Sequence, residues 1–221
     1  MILYAATSNP GKLREFTETA AAEHVEVRAL PGVDSMPAPV EDAPDFMGNA
    51  ALKAVYYSRL APGLLVFADD SGLEVDALGG DPGVFSARFA EKMNFEPSSG
   101  LSKDQRNNRC LLSMLREVNL ATEGRAGRNA RFVCELALAR DGQVLRRASG
   151  EVEGEILDAP RGENGFGYDP LFFIPTLGKT MAELGPEAKW AVSHRGRAFR
   201  FLLQDLYSLG TGIAEIAQSG R

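Results

Sequence analysis

Membrane-spanning segments are absent from this sequence. No apolar run approaches the roughly 20 residues that a membrane-spanning helix needs. The first residues lack the basic stretch that opens a signal peptide, and they read instead as the first strand of a fold. We therefore expect no membrane partner and a cytoplasmic protein.

Basic charge and cysteine are also scarce. The chain has 24 Lys and Arg against 30 Asp and Glu, a net charge of −6, whereas a nucleic-acid-binding surface needs a basic footprint. Cys110 and Cys134 have no metal-ligand spacing, so we expect buried free thiols in a reducing compartment. At 221 residues and 44% hydrophobic content, the chain can still bury a full core.

Two adjacent aspartates follow an apolar stretch at residues 64–68, which reads as a buried strand. Asp69 and Asp70 come directly after it, and Ser71 and a glycine-rich turn at residues 79–83 come next. Ligands of α/β proteins gather at the carboxyl ends of strands. Carboxylates placed there suit Mg²⁺, which takes a few of them and keeps waters or phosphate oxygens. The same residues are also typical of an ordinary polar loop, because Asp-Ser-Gly is turn chemistry.

A polar turn at residues 7–12 follows a strand predicted at residues 2–6 and opens a helix predicted at residues 10–22. Asn9 suits the N-cap and Pro10 the first helical position. The N–H groups of such a helix start attract anions, and Lys12 adds a positive charge. The turn lacks the pattern of a Walker A loop, so an ordinary capped helix remains the alternative to a phosphate site.

Two further polar blocks lie nearer the C-terminus. Phe166 stands between two glycines, which leaves an aromatic face for stacking on a planar ligand. His194 and Arg195 provide directional hydrogen-bond donors. Taken singly, each has a plainer interpretation: a core phenylalanine, a surface histidine and a solvated arginine.

The spacing of apolar residues predicts alternating strands and helices. We predict a strand at 25–30, a loop at 31–44 and a helix at 46–60 with Asp45 as its N-cap. Ser102 and Gln105 form a capping box that opens a helix ending near residue 119. Further predictions are a loop at 125–128, a hairpin of strands 130–140 and 143–156, a helix at 197–209 and a frayed tail at 210–221. This mix indicates one α/β domain over residues 1–221, with a mixed sheet flanked by helices.

Six blocks of the sequence, taken in order, carry a resemblance to a known family. They are Thr7-Ser8-Asn9-Pro10-Gly11-Lys12, Asn49-Ala50-x-x-Lys53-Ala54, Ala68-Asp69-Asp70-Ser71-Gly72-Leu73, Gly79-Gly80-x-Pro82-Gly83-x-x-Ser86-Ala87-Arg88, Gly165-Phe166-Gly167-Tyr168-Asp169-Pro170 and Ser193-His194-Arg195-Gly196. In these blocks the chain resembles the inosine triphosphate pyrophosphatases, which remove non-standard purine nucleoside triphosphates. The blocks span residues 7–196, nearly the whole chain.

The resemblance implies an elongated α/β fold with two lobes around a central substrate cleft, usually as a homodimer. It also implies hydrolysis of ITP, dITP and XTP to the monophosphate and pyrophosphate. We assign Mg²⁺ to Glu41 and Asp70, with Asp70 also the proton acceptor and with Asp69 and Lys53 as further catalytic residues.

The substrate-binding residues fall into a phosphate set and a base set. Lys12, Lys53 and the turn at residues 7–9 are expected to hold the triphosphate, together with Lys189. Phe166 is expected to stack on the purine, while Asp169, His194 and Arg195 read its edge. The complete predicted substrate set is Thr7, Ser8, Asn9, Pro10, Gly11, Lys12, Ser71, Phe166, Gly167, Tyr168, Asp169, Lys189, His194 and Arg195.

Two features depart from the pattern expected of the family. Gly48 stands where we expect a glutamate before Asn49. If that glutamate helps to hold metal or water in relatives, either another carboxylate takes its role here or the role is dispensable. The segment at residues 91–103 differs from the short form that we expect, and its length is typical of a variable loop.

Two other functions remain open at this point. A pyrophosphatase of related shape could act on dTTP or UTP, and the blocks around Phe166 and His194 argue against it. A nucleotide-binding sensor without catalysis is the second alternative. The presence of Asp69 and Asp70 together with Lys53 argues against a sensor, because binding alone needs no water-activating group.

Overall fold

The computed structural model describes residues 1–20, 25–96, 100–122 and 127–208. Its strands are β1 (Ile2–Ala5), β2 (Glu26–Ala29), β3 (Val66–Val75), β4 (Asn129–Arg140), β5 (Gln143–Ile156), β6 (Phe172–Ile174) and β7 (Lys179–Thr180). Its α-helices are α1 (Pro10–Ala20), α2 (Phe46–Leu60), α3 (Phe89–Lys92), α4 (Lys103–Ala121), α5 (Pro186–Val192) and α6 (His194–Ser208). Over these ranges, none of the helices has the length and apolar character needed to cross a membrane.

The strands form one mixed sheet in the order β2-β1-β3-β4-β5-β6-β7. β1 pairs in parallel with β2 and with β3, and the pairing with β3 joins Tyr4 to Val66 and Ala5 to Phe67. β5 pairs antiparallel with β6, which pairs antiparallel with β7. The predicted α/β class, with a mixed sheet flanked by helices, is confirmed.

The described chain divides into two compact units. Of the described residues, the first contains those of Met1–Asp70, of Cys134–Gly150 and from Trp190 to 208, and the second contains those of Ser71–Val133 and of Glu151–Lys189. That residues 1–221 act as one domain remains a prediction.

The first unit buries a separate apolar cluster on each face of its strands. On one face, Phe67 of β3 packs edge-on against Phe16 of α1 and beside Phe199 of α6. On the other face, Val66 and Ala68 belong to a cluster with small residues of α2 such as Ala50. Because neighbouring residues of a strand point to opposite faces, β3 contributes to both clusters.

In the second unit, α4 and β6 bury apolar side chains. Leu111 and Leu115 of α4 are buried, and the rings of Phe132 and Phe172 lie 4.3 Å apart. The capping box predicted at the start of α4 is present, since the Ser102 side chain accepts from the Gln105 N–H and the Gln105 side chain accepts from the Ser102 N–H. Both cysteines are buried and free, as predicted.

Several predicted boundaries are confirmed and others are wrong. Helix α2 has the predicted bounds, and the two-residue turn Asp141-Gly142 joins β4 to β5. The strand predicted to end before Asp69 instead continues as β3 to Val75, so the two aspartates lie within a strand and not in a loop after it. Helix α6 begins at His194 and not at residue 197, and α5 was not predicted. The predicted tail at 210–221 and parts of the predicted loops at 91–103 and 125–128 lie outside the described residues.

Candidate active site

Strand β3 directs its two aspartates to opposite faces of the sheet. Asp70 follows Ala68 on the side of α2, whereas Asp69 follows Phe67 on the side of α1 and α6. Both carboxylates are buried, with only 5% of Asp69 and 8% of Asp70 exposed. The alternative interpretation of these residues as an ordinary polar loop after the strand is therefore wrong. The parallel pairing with β1 ends just before Asp69, since its last paired residues are Ala5 and Phe67 and the Ala6 N–H donates to the Phe67 carbonyl at 2.8 Å.

The Asp70 face brings together two carboxylates and one ammonium group. Lys53 Nζ lies 2.9 Å from Asp70 Oδ1 and 3.0 Å from Glu41 Oε2. Asn49 Nδ2 donates to Asp70 Oδ2 at 3.3 Å. The predicted catalytic residue Lys53 thus lies between the two carboxylates predicted to hold metal. Asn49 is a site residue missing from the prediction, although its spacing of four residues from Lys53 places both on one face of α2.

The first turn of α2 explains why Glu41 reaches this cluster. Asp45 caps the helix by accepting the Gly48 N–H at 2.7 Å, as predicted. Asn49 Oδ1 accepts the Ala43 N–H at 3.0 Å, which ties the preceding loop to the helix. A Cβ at position 48 would lie 2.7 Å from the Ala43 Cβ, closer than such atoms approach. Gly48 therefore lets the loop that carries Glu41 pack against α2.

Burial and charge shift the pKa values of this cluster. Burial, the largest influence, raises the pKa of the Asp70 carboxyl above its ordinary value, although Lys53 acts to lower it. Burial acts to lower the pKa of Lys53, but the surrounding carboxylates, Asp70 foremost, raise it above the ordinary value. Lys53 is therefore a permanent cation, and Asp70 is the group whose basicity is increased.

The Asp69 face is a separate ion-pair cluster. Asp69 Oδ2 lies 2.8 Å from Lys12 Nζ and 3.6 Å from Arg195 Nε, and Arg195 Nη1 donates to Glu15 Oε2 at 3.0 Å. Burial disfavours the charged form of Asp69, but Lys12 and then Arg195 hold the pKa of its carboxyl well below its usual range. Asp69 is thus a fixed anion that joins the start of α1 to the start of α6. A carboxylate whose pKa is lowered in this way is a weak base and therefore a poor proton acceptor.

The predicted phosphate turn is confirmed as a capped helix start. Asn9 Oδ1 accepts the N–H groups of Gly11 at 2.9 Å and of Lys12 at 3.1 Å. Thr7 Oγ1 accepts the Asn9 N–H at 3.2 Å, and Ser8 and Pro10 are exposed. Whether this turn also holds phosphate remains a prediction.

The second unit holds the loop around Phe166. Asp169 Oδ2 accepts the Phe166 N–H at 2.9 Å and pairs with Lys189 Nζ at 2.6 Å. The Lys189 ammonium also lies 5.1 Å from the centre of the half-buried Phe166 ring. Gly165 has φ +77°, and a Cβ there would lie 2.0 Å from Asp169 Oδ2, so only glycine fits. Phe166, Asp169 and Lys189 therefore form one group.

The remaining predicted residues have the following positions. The side chain of Tyr168 is buried, and its hydroxyl donates to the Ser86 carbonyl at 3.0 Å, so this side chain packs in the interior of the protein. Ser71 is half-buried on β3, and His194 is buried at the first residue of α6. Their substrate contacts remain predictions.

The donor set of the Asp70 face fits a hard divalent cation. Two carboxylates already converge on the Lys53 ammonium, which marks the point where positive charge is stabilised. Within the described ranges, no group of three or more His, Cys, Asp or Glu residues could hold a metal ion. Mg²⁺ commonly uses only one or two carboxylates and completes its shell with water and substrate phosphates. Glu41 and Asp70 meet that requirement.

Comparisons with known proteins agree on one family. The sequence profile of the Ham1 family matches residues 3–205. The dITP/XTP pyrophosphatase of Acidobacterium capsulatum is 53% identical over 93% of this chain and 98% of its own length. The protein of the same name from Thermus thermophilus is 46% identical over 92% of this chain and 91% of its own length. The solved structure of a HAM1 protein from Coxiella burnetii matches with a TM-score of 0.77 at 34% identity, covering 94% of this chain and 99% of that one.

Proposed function

The chain belongs to the Ham1 family, and we propose that it hydrolyses non-standard purine nucleoside triphosphates (ITP, dITP and XTP) to the monophosphate and pyrophosphate. The observation that carries this proposal is the Asp70 face, where a carboxylate of raised pKa lies between Lys53 and Asn49 and beside Glu41. The names of its relatives, dITP/XTP pyrophosphatases, support the substrate class.

We assign the triphosphate to the first unit. Lys12 and Lys53 each present an ammonium group, and the turn at residues 7–10 presents polar groups at the start of α1. An ammonium carries three donors, so Lys12 can keep Asp69 and Lys53 can keep both Asp70 and Glu41, and each still has a donor for a phosphate oxygen. Positioning and charge neutralisation of this kind provide most of the catalysis in phosphoryl transfer.

We assign Mg²⁺ to Glu41 and Asp70. When bound, the metal would supply positive charge against the triphosphate and lower the pKa of the attacking water. The two carboxylate groups lie on either side of the Lys53 ammonium, at 3.0 and 2.9 Å, which supports their joint use.

The proton acceptor in this reaction is Asp70. Its carboxylate takes a proton from water as the water oxygen attacks the α-phosphorus. The bond from the α-phosphorus to its bridging oxygen then breaks, and pyrophosphate leaves with the electron pair. Lys53 stabilises the negative charge on the leaving group, and Asn49 orients Asp70 through its amide. Asp69 would hold Lys12 and take no proton.

We assign the purine to Phe166, with Asp169 at its edge and Lys189 beside the ring. His194 and Arg195 are assigned to the 6-carbonyl of the base, which ITP and XTP have and ATP lacks. Arg195 also pairs with Glu15 and Asp69, so its role in base reading competes with a structural role. A donor that faces an amine instead of a carbonyl stays unpaired, which costs about 1–3 kcal/mol.

Product analysis in labelled water tests the proposal. The protein is incubated with ITP in ¹⁸O-water, with Mg²⁺ or with EDTA. We expect pyrophosphate release only with Mg²⁺ and the label in the monophosphate, because water attacks the α-phosphorus. Label in inorganic phosphate or pyrophosphate would contradict the proposed bond cleavage. A panel with dTTP and UTP tests the alternative substrates, and ITP binding without turnover would indicate a sensor.

Asp70→Asn tests the assignment of the base. We expect turnover to fall by at least ~10²-fold, the scale of lost general-base catalysis. Asp34→Asn is the matched control, since Asp34 is an exposed carboxylate of the same unit. Turnover of folded Asp70→Asn protein within threefold of the unsubstituted protein would show that another group accepts the proton.

Assembly and location complete the proposal. We propose a homodimer, as the family resemblance implies, and a cytoplasmic protein whose Cys110 and Cys134 remain reduced. Light scattering of the purified protein at several concentrations tests the dimer. A monomer mass throughout would overturn that part of the proposal and leave the catalytic part intact.

A further inference from the structure

Two side chains of α4 bind both sides of one residue in the Phe166 loop. Asp104 Oδ2 accepts the Gly167 N–H at 2.7 Å, and Asn108 Nδ2 donates to the Gly167 carbonyl at 3.0 Å. Asp104 and Asn108 are four residues apart and therefore lie on one face of α4. We call these two residues the α4 pair. Neither residue belongs to the predicted substrate-binding or catalytic set.

The loop needs such support because of its glycines. Gly165 and Gly167 both have positive φ, +77° and +63°, on either side of Phe166. Glycine loses more conformational freedom on ordering than other residues, so a loop with two glycines has many alternative conformations. Asp169 fixes the N–H of Phe166, and the α4 pair fixes both polar groups of Gly167. The backbone that carries the Phe166 ring is therefore fixed by hydrogen bonds on both sides of it.

Helix α4 is itself fixed to the rest of the second unit. Buried Asn107 accepts the Ala90 N–H at 3.0 Å and donates to the carbonyls of Ser86 and Ala87 at 3.3 and 3.2 Å. Tyr168 of the loop donates to the same Ser86 carbonyl. Because α4 is held in this way, the α4 pair keeps Gly167 at a fixed position. Residues 79–88, which include Ser86 and Ala87, contribute to this by holding α4.

We propose that Asp104 and Asn108 are positioning residues for nucleobase binding, which hold the Phe166 ring in the orientation that stacks on a purine. The proposal rests on the assignment of the purine to Phe166 in the proposed function. Neither side chain has a role at the phosphorus. The pair therefore acts on KM and on base selectivity, and not on the rate of the chemical step.

Two isosteric substitutions give opposite outcomes. Asn108→Asp replaces the donor with a carboxylate that faces the Gly167 carbonyl, so this bond is lost. Asp104→Asn keeps an oxygen that can accept the Gly167 N–H, although it loses the same charge at the start of α4 as Asp104→Ala does. We expect Asn108→Asp and Asp104→Ala to raise KM for ITP about 5- to 30-fold, with kcat within threefold. Asp104→Asn should remain within threefold in both constants.

Product inhibition separates base positioning from phosphate binding. In Asn108→Asp, the inhibition constant of inosine monophosphate should rise by the same factor as KM, and that of pyrophosphate should not change. Glu117→Gln and Asn119→Asp are matched controls, since both residues are exposed on α4. Thermal unfolding of each variant shows whether the fold is intact.

The outcomes that overturn the proposal are distinct from failure of the proposed function. An unchanged KM in Asn108→Asp, in a protein where Phe166→Ala raises KM, overturns the positioning role alone. If kcat and the inhibition constant of pyrophosphate change by the same factor as KM, the substitution disturbs the structure in general, and the positioning role is again overturned. If KM for ITP rises as much in Asp104→Asn as in Asp104→Ala, loss of the hydrogen bond to Gly167 is not the cause of the rise, and the positioning role is overturned. If Phe166→Ala itself has no effect, the purine assignment fails and the positioning role with it.

Discussion

The two adjacent aspartates should respond oppositely to the same substitution. Asp69 is 5% exposed, and its carboxylate lies 2.8 Å from Lys12 and 3.6 Å from Arg195. Removing one partner of a buried ion pair costs about 3–5 kcal/mol. In Asp69→Asn, the amide oxygen still accepts from Lys12 and Arg195 keeps Glu15, so we take the lower end, about 3 kcal/mol. At about 2–4 °C per kcal/mol for a chain of this size, Tm should fall by about 6–12 °C.

Asp70→Asn is the matched comparison, one residue away on the opposite face. The pKa of Asp70 is raised in the folded protein, so folding disfavours its charged form. Replacing it by a neutral isostere should leave Tm unchanged or slightly higher at neutral pH, while Lys53 keeps Glu41 as its partner. Both variants are measured by thermal unfolding in EDTA, so that metal binding does not contribute.

The pH dependence of Asp69→Asn provides a second check. The pKa of Asp69 is lowered by folding, so its contribution to stability is fully present above the pKa of an unfolded aspartate, about 3.9, and is lost as pH falls further. The Tm difference between this variant and the unsubstituted protein should therefore be constant near pH 7 and shrink below about pH 4. Equal Tm losses in both aspartate variants, or a difference that grows in acid, would refute the reasoning.

Substitutions at three further positions test the site. Lys53→Ala should raise both KM for ITP and the inhibition constant of pyrophosphate by about 10-fold or more, as expected for a lost charged hydrogen bond. Lys179→Ala is the control, since Lys179 is exposed. If both constants are unchanged in Lys53→Ala, Lys53 does not contact phosphate. Arg195→Ala should lower kcat/KM for ITP more than for ATP, whereas an equal loss together with a lower Tm would assign it to the ion pairs with Glu15 and Asp69. Gly48→Ala and Gly48→Glu should both weaken the activation of the enzyme by Mg²⁺, because any Cβ at position 48 displaces the loop that carries Glu41. Stronger Mg²⁺ activation in Gly48→Glu alone would show that an added carboxylate matters more than the close packing of this loop against α2.

Local patterns predict local structure well in this chain. Helix α2 has the bounds predicted from its apolar spacing and from Asp45, because both act within the helix itself. The hairpin turn Asp141-Gly142 was equally predictable, since both residues have positive φ, 51° and 80°, as a two-residue turn of this type requires.

Tertiary interactions decide the features that local patterns missed. Aspartate is rare in strands, so a strand end before Asp69 was the natural prediction. In the structure, Lys12 and Lys53 come from two different helices and compensate the two buried charges, which allows β3 to continue. These partners lie 57 and 17 residues away in sequence, beyond the range of any local pattern. If the predicted strand had been extended through Asp70, the alternation of side chains along it would have predicted that the two aspartates point to opposite faces of the sheet.

The charges of the first unit also bear on the need for a metal. On the two faces of β3, the cations Lys12, Lys53 and Arg195 are each paired with carboxylates. The carboxylates are Glu15, Glu41, Asp69 and Asp70, so three positive groups face four negative ones.

This arrangement fixes the cations in place and lowers the entropy lost when a substrate orders their long side chains. It also leaves no net positive charge in these clusters to balance a triphosphate, which carries several negative charges. A divalent cation at Glu41 and Asp70 would reverse the local balance, because it adds two positive charges where the carboxylates already converge. Binding of a non-hydrolysable ITP analogue to the unsubstituted protein, measured by calorimetry, should therefore depend on Mg²⁺. Equal affinity with EDTA would show that the protein's own cations suffice.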